Sequence, residues 1–310
     1  MSAVIDAVLP IFALIFVGAM AARKGVLGPE AMNALTVFVL KLGLPAVLFL
    51  SMAKITGSQL ANLRFLGSFG GGLLITFAVS FALDRNSRHR LTDASIESLA
   101  ASYPNTAFIG IPLCLVALGP ESVPAAAIAS VMIVFPLMAS AIVMIELDQH
   151  PNANRAASIW RVGTALVRNP LILGSGLGLL WAATGFNLPG PVERSASLLG
   201  SAASPCALIA IGMFLAQQRA SSDTVAVGRV VGLKLFVQPA VTTVLALFLF
   251  PVTTIWMHAA ILLSALPIGT GPVMLAQLYG REAGVTSRAI LFSTIGSIAT
   301  ISLLLTWFQH

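Results

Sequence analysis

Prolines and glycines from the first half of this 310-residue chain recur in the second half at a nearly constant spacing. Four of them return after 160 residues: Pro10, Gly18, Gly25 and Pro45 recur as Pro170, Gly178, Gly185 and Pro205. Another proline, Pro104, recurs as Pro267 at a slightly longer interval. These two residue types are closely tied to backbone conformation, so the recurrence indicates one backbone pattern that occurs twice.

The composition places this repeated pattern in a membrane. Hydrophobic residues make up 57% of the chain and charged residues only 9%, and the mean hydropathy is +0.95. A transmembrane helix needs about 20 apolar residues. Ten apolar stretches, five in each half, approach or reach this length: 3–22, 31–53, 65–83, 98–118, 123–145, 169–184, 195–217, 230–250, 254–279 and 289–308. We therefore predict an all-α membrane protein with ten transmembrane helices.

An odd number of helices in each half has a topological consequence. The second half must enter the membrane from the side opposite to the first, so the two repeats are predicted to be inverted. The predicted organisation is a first five-helix repeat at 1–148, a cytoplasmic connecting loop at 149–168 and a second repeat at 169–310. Inverted repeats are typical of secondary transporters, which bind substrate near the middle of the membrane.

The basic residues predict the orientation, because cytoplasmic loops are enriched in Lys and Arg. Three fall on one side of the predicted helices: Lys54, Arg64 and Arg194. Twelve fall on the other: Arg23, Lys24, Arg85, Arg88, Arg90, Arg155, Arg161, Arg168, Arg219, Arg229, Arg281 and Arg288. We predict a multi-pass protein of the inner (plasma) membrane with both termini on the outer, periplasmic side. The net charge of +6 is then an orientation signal, and no nucleic-acid partner is expected.

The fourth and ninth apolar stretches are each interrupted by two prolines among polar and glycine residues. These interruptions lie at 102–112 and 264–272. Proline removes a helical hydrogen bond, and exposed backbone groups are costly in lipid, so both segments are predicted to unwind where protein, water or ligand satisfies them. The other prolines are interpreted as kinks or helix ends: Pro10, Pro45, Pro136, Pro205 and Pro239.

Two unwound helices would bring half-helix N-termini together, and such termini attract anions. The side chains of Asn105, Thr106 and Thr270 can add hydrogen bonds, and the glycines allow close approach. Lys41, near the middle of the second stretch, either balances the substrate's charge in an aqueous cavity or has a structural role. The predicted substrate-binding residues are Pro104, Asn105, Thr106, Pro267, Gly269, Thr270, Gly271 and Lys41.

Three further polar residues are candidates for ion coupling or charge balance. Glu97 could carry a proton if it is buried, because burial favours the neutral carboxyl group; the alternative is a hydrated position at the helix entrance. Lys234 and Gln238 are four residues apart and share one helical face. Lys234 could instead extend to the membrane interface.

Several functions are disfavoured. The sequence has no phosphate-binding loop of the type G-x-x-x-x-G-K-[ST], and we expect no cofactor, no metal site and no catalytic residue. The four histidines have no plausible catalytic partner at membrane depth, so the sequence disfavours an intramembrane enzyme. A channel remains an alternative with a different mechanism. Proton coupling or uniport is favoured over sodium coupling because neither interrupted segment contains Asp or Glu.

Several phrases in the chain resemble the auxin efflux carrier family. They are 9–12, 43–49, 104–113, and 266–267 ahead of 275–280, of which the Pro-Asn-Thr block at 104–106 is the most specific. The resemblance implies broken, crossing helices four and nine, and a wider fold similar to bile-acid/sodium symporters and sodium/proton antiporters. It also implies a secondary transporter for an organic anion: auxin in plants, malonate or malate in many bacterial members. Relatives with this architecture suggest a homodimer.

Overall fold

The computed structural model describes residues 2–57, 62–85, 91–149, 163, 170–217, 223–281 and 284–308. Helices account for most of these residues. The described residues also contain one isolated antiparallel bridge, between Pro104 and Ile268. The prediction of an all-α protein is therefore confirmed. Most of the predicted connecting loop 149–168 lies outside the described residues, as do these basic residues of the orientation argument: Arg88, Arg90, Arg155, Arg161, Arg168 and Arg219.

The described residues up to 149 form eight α-helices. They are α1 (Ser2–Arg23), α2 (Pro29–Phe38), α3 (Leu44–Ala53), α4 (Leu63–Arg85), α5 (Leu91–Ser102), α6 (Ile111–Leu118), α7 (Val123–Met132) and α8 (Ala139–Gln149). Wider π-helical turns lie at Val39–Gly43, Thr106–Gly110 and Ile133–Met138, and a 3₁₀ turn lies at Pro120–Ser122.

Seven further α-helices follow among the described residues from 170 onward. They are α9 (Pro170–Ala183), α10 (Gly190–Ala216), α11 (Thr224–Gly232), α12 (Gln238–Val244), α13 (Thr254–Ser264), α14 (Gly271–Leu278) and α15 (Gly284–Trp307). Two more π-helical turns, Leu233–Val237 and Leu245–Leu249, continue the helices around α12.

Six helices in the described part of the chain are long and apolar enough to cross a membrane. They are Pro29–Ala53, Leu63–Asp84, Pro120–Gln149, Gly190–Ala216, Thr224–Leu249 and Gly284–Trp307. Four shorter apolar helices accompany them: Phe12–Arg23, Thr106–Leu118, Ile172–Ala183 and Thr254–Ser264. Helices satisfy their own backbone hydrogen bonds, which is what a spanning segment requires in lipid.

Three prolines in the described helices are accommodated without ending the helix. The π-helical turns Val39–Gly43 and Leu233–Val237 come just before Pro45 and Pro239, and Pro136 lies inside the turn Ile133–Met138. A proline ring clashes with the carbonyl one turn earlier, and a wider turn gives it room. The helix therefore continues past these prolines, whereas at Pro104 and Pro267 it stops.

The first of two compact units comprises Met1–Asn62, Thr106–Val131 and Arg168–Gln218. In this unit α1 packs on α10, and α9 packs on α3. Gly18 of α1 meets the backbone of Ile209, and a Cβ at Gly178 of α9 would lie 2.5 Å from the carbonyl oxygen of Phe49. Positions 18 and 49 correspond to positions 178 and 209 at the interval of 160 residues, so the two contacts are repeats of each other.

Matching turns also follow α1 and α9. Gly25 and Gly185 both have φ of 71°, a left-handed conformation that glycine adopts without steric cost. Their N–H groups donate to the carbonyl oxygens of Ala22 and Ala182, each over 3.1 Å. The repeated glycines thus end two equivalent helices in the same way.

The second compact unit comprises Leu63–Asn105, Met132–Val167 and Arg219–His310. Within it α4 packs on α5 and α12, and α15 packs on α11. Its buried apolar side chains include Phe65, Phe69 and Leu99, and several buried polar side chains lie beside them. Each unit draws helices from both halves of the sequence.

Candidate functional site

Two interrupted helices meet in the second unit. Helix α5 ends at Ser102 and α13 ends at Ser264, and residues 103–105 and 265–270, here called the paired breaks, leave the helical conformation. The N–H of Asn105 donates to the carbonyl oxygen of Pro267 over 2.8 Å, and the N–H of Gly269 donates to that of Tyr103 over 3.0 Å. Backbone groups freed by the prolines are therefore satisfied by the opposite break, as burial requires.

Glycine is required in the second break and at the first residue after it, because an aromatic ring covers both positions. A Cβ at Gly269 would lie 2.9 Å from Cδ1 of Tyr103, and a Cβ at Gly271 would overlap the same ring. Neither position has room for a larger residue unless Tyr103 moves. The Tyr103 side chain thus holds the second break close to the first.

The second unit brings together most of the predicted binding residues. Asn105 is buried and Thr270 half-buried, beside these neighbours: Pro104, Pro267, Gly269 and Gly271. Thr106, the next residue along the chain, belongs to the first unit, where its Oγ1 accepts a hydrogen bond of 3.0 Å from Ser130. Polar groups are therefore concentrated where the two helices are interrupted.

Lys234 and Gln238 bind the C-terminal ends of the two interrupted helices. Nζ of Lys234 donates to the carbonyl oxygen of Ser264 over 2.7 Å, and Nε2 of Gln238 donates to that of Ser102 over 3.2 Å. Both side chains are fully buried. These carbonyls lie at the negative ends of the α13 and α5 helix dipoles. Lys234 and Gln238 lie about one turn apart on the same helix and cap one carbonyl each. The alternative in which Lys234 extends to the membrane interface does not hold, because its side chain is fully buried.

Lys41 lies in the first unit, on the wall of a groove of about 630 Å³. The other walls come from α3, α9 and α10, with mainly apolar residues such as Phe49, Leu177 and Leu199. Lys41 is exposed, and no described residue forms a hydrogen bond or an ion pair with it. An ammonium group lying about 18 Å from either end of its helix is therefore available to a ligand in this groove.

Glu97 lies in an ionic cluster one to two turns before the first break. The guanidinium of Arg229 contacts both Glu97, at 2.9 Å, and the buried carboxylate of Asp84. A cavity of about 360 Å³ reaches Glu97, and Asp93 and Arg281, which form an ion pair, line it as well. The sequence pattern indicates Glu97 as a candidate, but it indicates neither Arg229, which pairs with Glu97, nor Asp84, the second carboxylate that Arg229 contacts.

Three residues of this region were not predicted as site residues from the sequence: Tyr103, Asp84 and Arg229. Arg229 was counted only as a basic residue near a helix end, although it lies nine positions before Gln238 on the same long helix. A signal for Asp84 does exist, because polar residues precede it at four-residue intervals along α4. No pattern in the sequence indicates that the Tyr103 ring packs against Gly269 and Gly271.

Residues 3–305 match the model of a family described as "Membrane transport protein". The chain belongs to this family, which includes the auxin efflux carriers. The resemblance found in the sequence is thereby confirmed. As a family member the chain is a membrane transporter and not an enzyme.

One relative matches the chain over almost its whole length. It is a Rhizobium meliloti (strain 1021) protein named "Putative malonate transporter", 32% identical over 315 aligned positions that cover 98% of this chain and 96% of the relative. Two plant family members match in part. Auxin efflux carrier component 3a of Oryza sativa is 30% identical over 44% of this chain, and component 6 of Arabidopsis thaliana is 30% identical over 59%. The matches span 22% and 30% of those plant proteins.

Proposed function

We propose that this family member is a secondary transporter that moves a small organic anion across the inner membrane by alternating access. The observation that carries the proposal is the pairing of two interrupted helices at 103–105 and 265–270. Discontinuous helices of this kind form the substrate sites of many secondary transporters. Non-helical backbone at membrane depth is tolerated where it is buried or lines a cavity.

The proposed architecture is ten transmembrane helices in two inverted repeats. The six long and four shorter apolar helices overlap the ten stretches expected from the sequence, with the fourth and ninth divided at Pro104 and Pro267. The contacts of Gly18 and Gly178, which recur after 160 residues, support the repeat. An orientation with both termini periplasmic follows from the distribution of Lys and Arg.

The electrostatics of the paired breaks favour an anion. Lys234 and Gln238 cap the negative ends of α5 and α13, while the helical segments that follow the breaks begin at Thr106 and Gly271. The N-terminal N–H groups of such segments carry partial positive charge. Asn105 and Thr270 would add hydrogen bonds, and we propose that Lys41 contributes a further positive charge to the substrate.

The proposed substrate is a mono- or dicarboxylate such as malonate or malate. The name of the Rhizobium meliloti relative supports malonate as the first compound to test. A proton is the proposed coupling ion, with Glu97 as its carrier; a sodium-coupled symporter or an ion antiporter of the same fold is the alternative. We also propose that the protein forms a homodimer in the membrane.

Counterflow in proteoliposomes tests this function. Vesicles loaded with unlabelled malonate or malate are diluted into a trace of the radiolabelled compound, and a transporter accumulates label transiently because both faces share one alternating site. A channel would equilibrate the label without an overshoot. Absence of counterflow with every mono-, di- and tricarboxylate in the panel would contradict the proposal.

A further inference from the structure

A line of buried polar side chains runs through the second unit, away from the paired breaks. Along α4, polar residues recur every four positions, with Gly72 occupying one place in the series. Each step advances about 40° beyond a full turn, so successive members lie beside each other along a stripe that winds slowly around the helix. All are fully buried: Ser68, Thr76, Ser80 and Asp84. Burial of a polar side chain costs free energy unless the side chain is hydrogen-bonded, so each member of this series needs a protein or water partner.

Two other helices face this line with polar groups of their own. Helix α5 contributes Ser98 and Ser102, and α12 contributes Gln238 and Thr242, one turn apart in each case and all fully buried. Four contacts join these helices and the neighbouring α11. Arg229 binds Asp84 and Glu97, Gln238 binds the Ser102 carbonyl, and Gly72 lies directly against Thr242. We call these groups the polar seam: Thr76, Ser80, Asp84, Glu97, Ser98, Ser102, Arg229, Gln238 and Thr242.

Several seam atoms lack a protein partner. Oγ of Ser98, Oε1 of Gln238 and Oγ1 of Thr242 are buried, and no described residue forms a hydrogen bond with them. Unsatisfied polar atoms of this kind are the usual positions of internal water, which bridges two to four such groups. Other seam hydroxyls bond along their own helix, as Thr76 does to the Gly72 carbonyl over 2.7 Å, and a hydroxyl can accept while it donates.

The seam joins two places of functional interest. At one end the ionic cluster of Asp84, Glu97 and Arg229 lies beside the cavity of about 360 Å³. At the other end, about 13 Å away by helical rise between Arg229 and Gln238, the Gln238 amide binds the residue that precedes the first break. The path between these ends lies within one compact unit.

We propose that the polar seam holds a file of water molecules and carries protons between the carboxylates of Glu97 and Asp84 and the paired breaks. This rests on the proposed transport function and specifies how that function is coupled. A proton arrives on a carboxylate oxygen at the ionic end, passes to a seam water, and is relayed by hydroxyls and water to the substrate site. Each proton that enters at the ionic end is matched by one that leaves at the substrate site, so no seam group changes its protonation state overall.

Other charged groups face the ionic end from the surrounding helices. Arg229 comes from α11 and Asp84 from α4, while Asp93 and Arg281 line the same cavity as Glu97. Lys234 lies further along the helix that carries Arg229. The unpaired oxygens of Gln238 and Thr242 follow one another along α12, an arrangement that favours a file of waters over the single coordination sphere of a sodium ion.

Proteoliposomes with a trapped pH-sensitive dye separate proton movement from substrate exchange. The probes are radiolabelled malonate and malate, and the seam variants are Ser98→Ala and Thr76→Val, alone and together. Loss of one relay hydroxyl is expected to slow uptake driven by a pH gradient, and the accompanying pH change, roughly tenfold. Counterflow at equal pH needs no net proton movement and should stay near the wild-type rate. Ser98→Thr and Thr76→Ser keep a hydroxyl and should retain the driven uptake.

Ser297→Ala is the matched control, because Ser297 is equally buried in the second unit and, among the described residues, its hydroxyl bonds only to the Thr294 carbonyl of its own helix α15. The proposed function itself fails if the wild type shows no counterflow. The seam proposal alone is overturned if net carboxylate uptake by the wild type neither responds to a pH gradient nor changes the internal pH, or if a sodium gradient drives uptake instead. It is equally overturned if the seam variants match the wild type, or lose counterflow and driven uptake together.

Discussion

The side chains of Asn105 and Thr270 give the proposed anion site its hydrogen-bonding capacity. We expect Asn105→Ala and Thr270→Val to weaken carboxylate binding while folded protein remains in the membrane. A hydrogen bond to a charged group contributes about 1.5–3 kcal/mol, so each change should raise Kd roughly tenfold to a hundredfold. Binding can be measured by thermal shift or calorimetry on purified protein.

Thr300→Val provides a matched control for Thr270→Val. Thr300 is also half-buried in the second unit, but its hydroxyl lies near the Ser297 carbonyl of its own helix. The control should bind carboxylate as the wild type does. Wild-type affinity in both Asn105→Ala and Thr270→Val would remove these residues from the site.

Lys41 carries an exposed charge in an otherwise apolar groove. If it balances the substrate's charge, Lys41→Met should weaken binding of a carboxylate by about tenfold, the order of one charge-assisted hydrogen bond. Binding of an uncharged analogue such as the corresponding ester or amide should change little. Lys24→Met, at an exposed position after α1, serves as the control. Equal losses for charged and uncharged ligands would indicate a structural role for Lys41.

The repeated glycines allow a prediction about helix packing. Gly18 and Gly178 occupy equivalent contacts, on Ile209 and Phe49, so Gly18→Ala and Gly178→Ala should destabilise the protein by similar amounts. Overpacking of a close contact costs roughly 1–3 kcal/mol, which differential scanning fluorimetry in detergent can detect. Gly176→Ala on α9 is the control, because nothing lies within 4 Å of a Cβ there. Unequal losses at Gly18 and Gly178 would argue against the repeated contact.

Lys234 caps an interrupted helix, and in its protonated form it places a positive charge near the breaks. Lys234→Gln can still donate to the Ser264 carbonyl but removes the charge, so we expect carboxylate affinity to fall about tenfold with little loss of thermal stability. Gln238→Met removes the neutral cap of Ser102 and should instead lower stability without a charge-dependent effect on binding. Carboxylate affinity that is unchanged in Lys234→Gln would show that its charge does not act on the ligand.

Local chemistry explains which parts of this site could be predicted from the sequence. Proline chemistry marked the interruptions at Pro104 and Pro267, and four-residue spacing placed Lys234 and Gln238 on one face. The carbonyls that these two side chains cap could not be predicted, because they lie on other helices. The same holds for Arg229 with Asp84, which are joined only by the packing of α4 on its neighbours. The pairing register of the breaks also depends on tertiary contacts, as does the cover provided by Tyr103.

At the scale of the whole molecule, the compact units do not coincide with the sequence repeats. Each unit contains helices from both halves, so a duplicated sequence is distributed over two differently composed bodies. Alternating access in inverted-repeat transporters consists largely of one such body moving against another around a fixed site. The paired breaks and the polar seam lie in the second unit, whereas Lys41 and its groove lie in the first.

The proposed ten-helix topology predicts the side of the membrane on which each connection lies. Glu121, in the exposed turn between α6 and α7, should be periplasmic, and Thr224, exposed at the start of α11, should be cytoplasmic. In a background where Cys114 and Cys206 are replaced by alanine, Glu121→Cys should react with a membrane-impermeant maleimide in intact spheroplasts. Thr224→Cys should react only after permeabilisation. The opposite pattern would invert the orientation predicted from Lys and Arg. Labelling of both cysteines in intact spheroplasts would contradict an odd number of membrane crossings between these positions, and with it the inverted repeat.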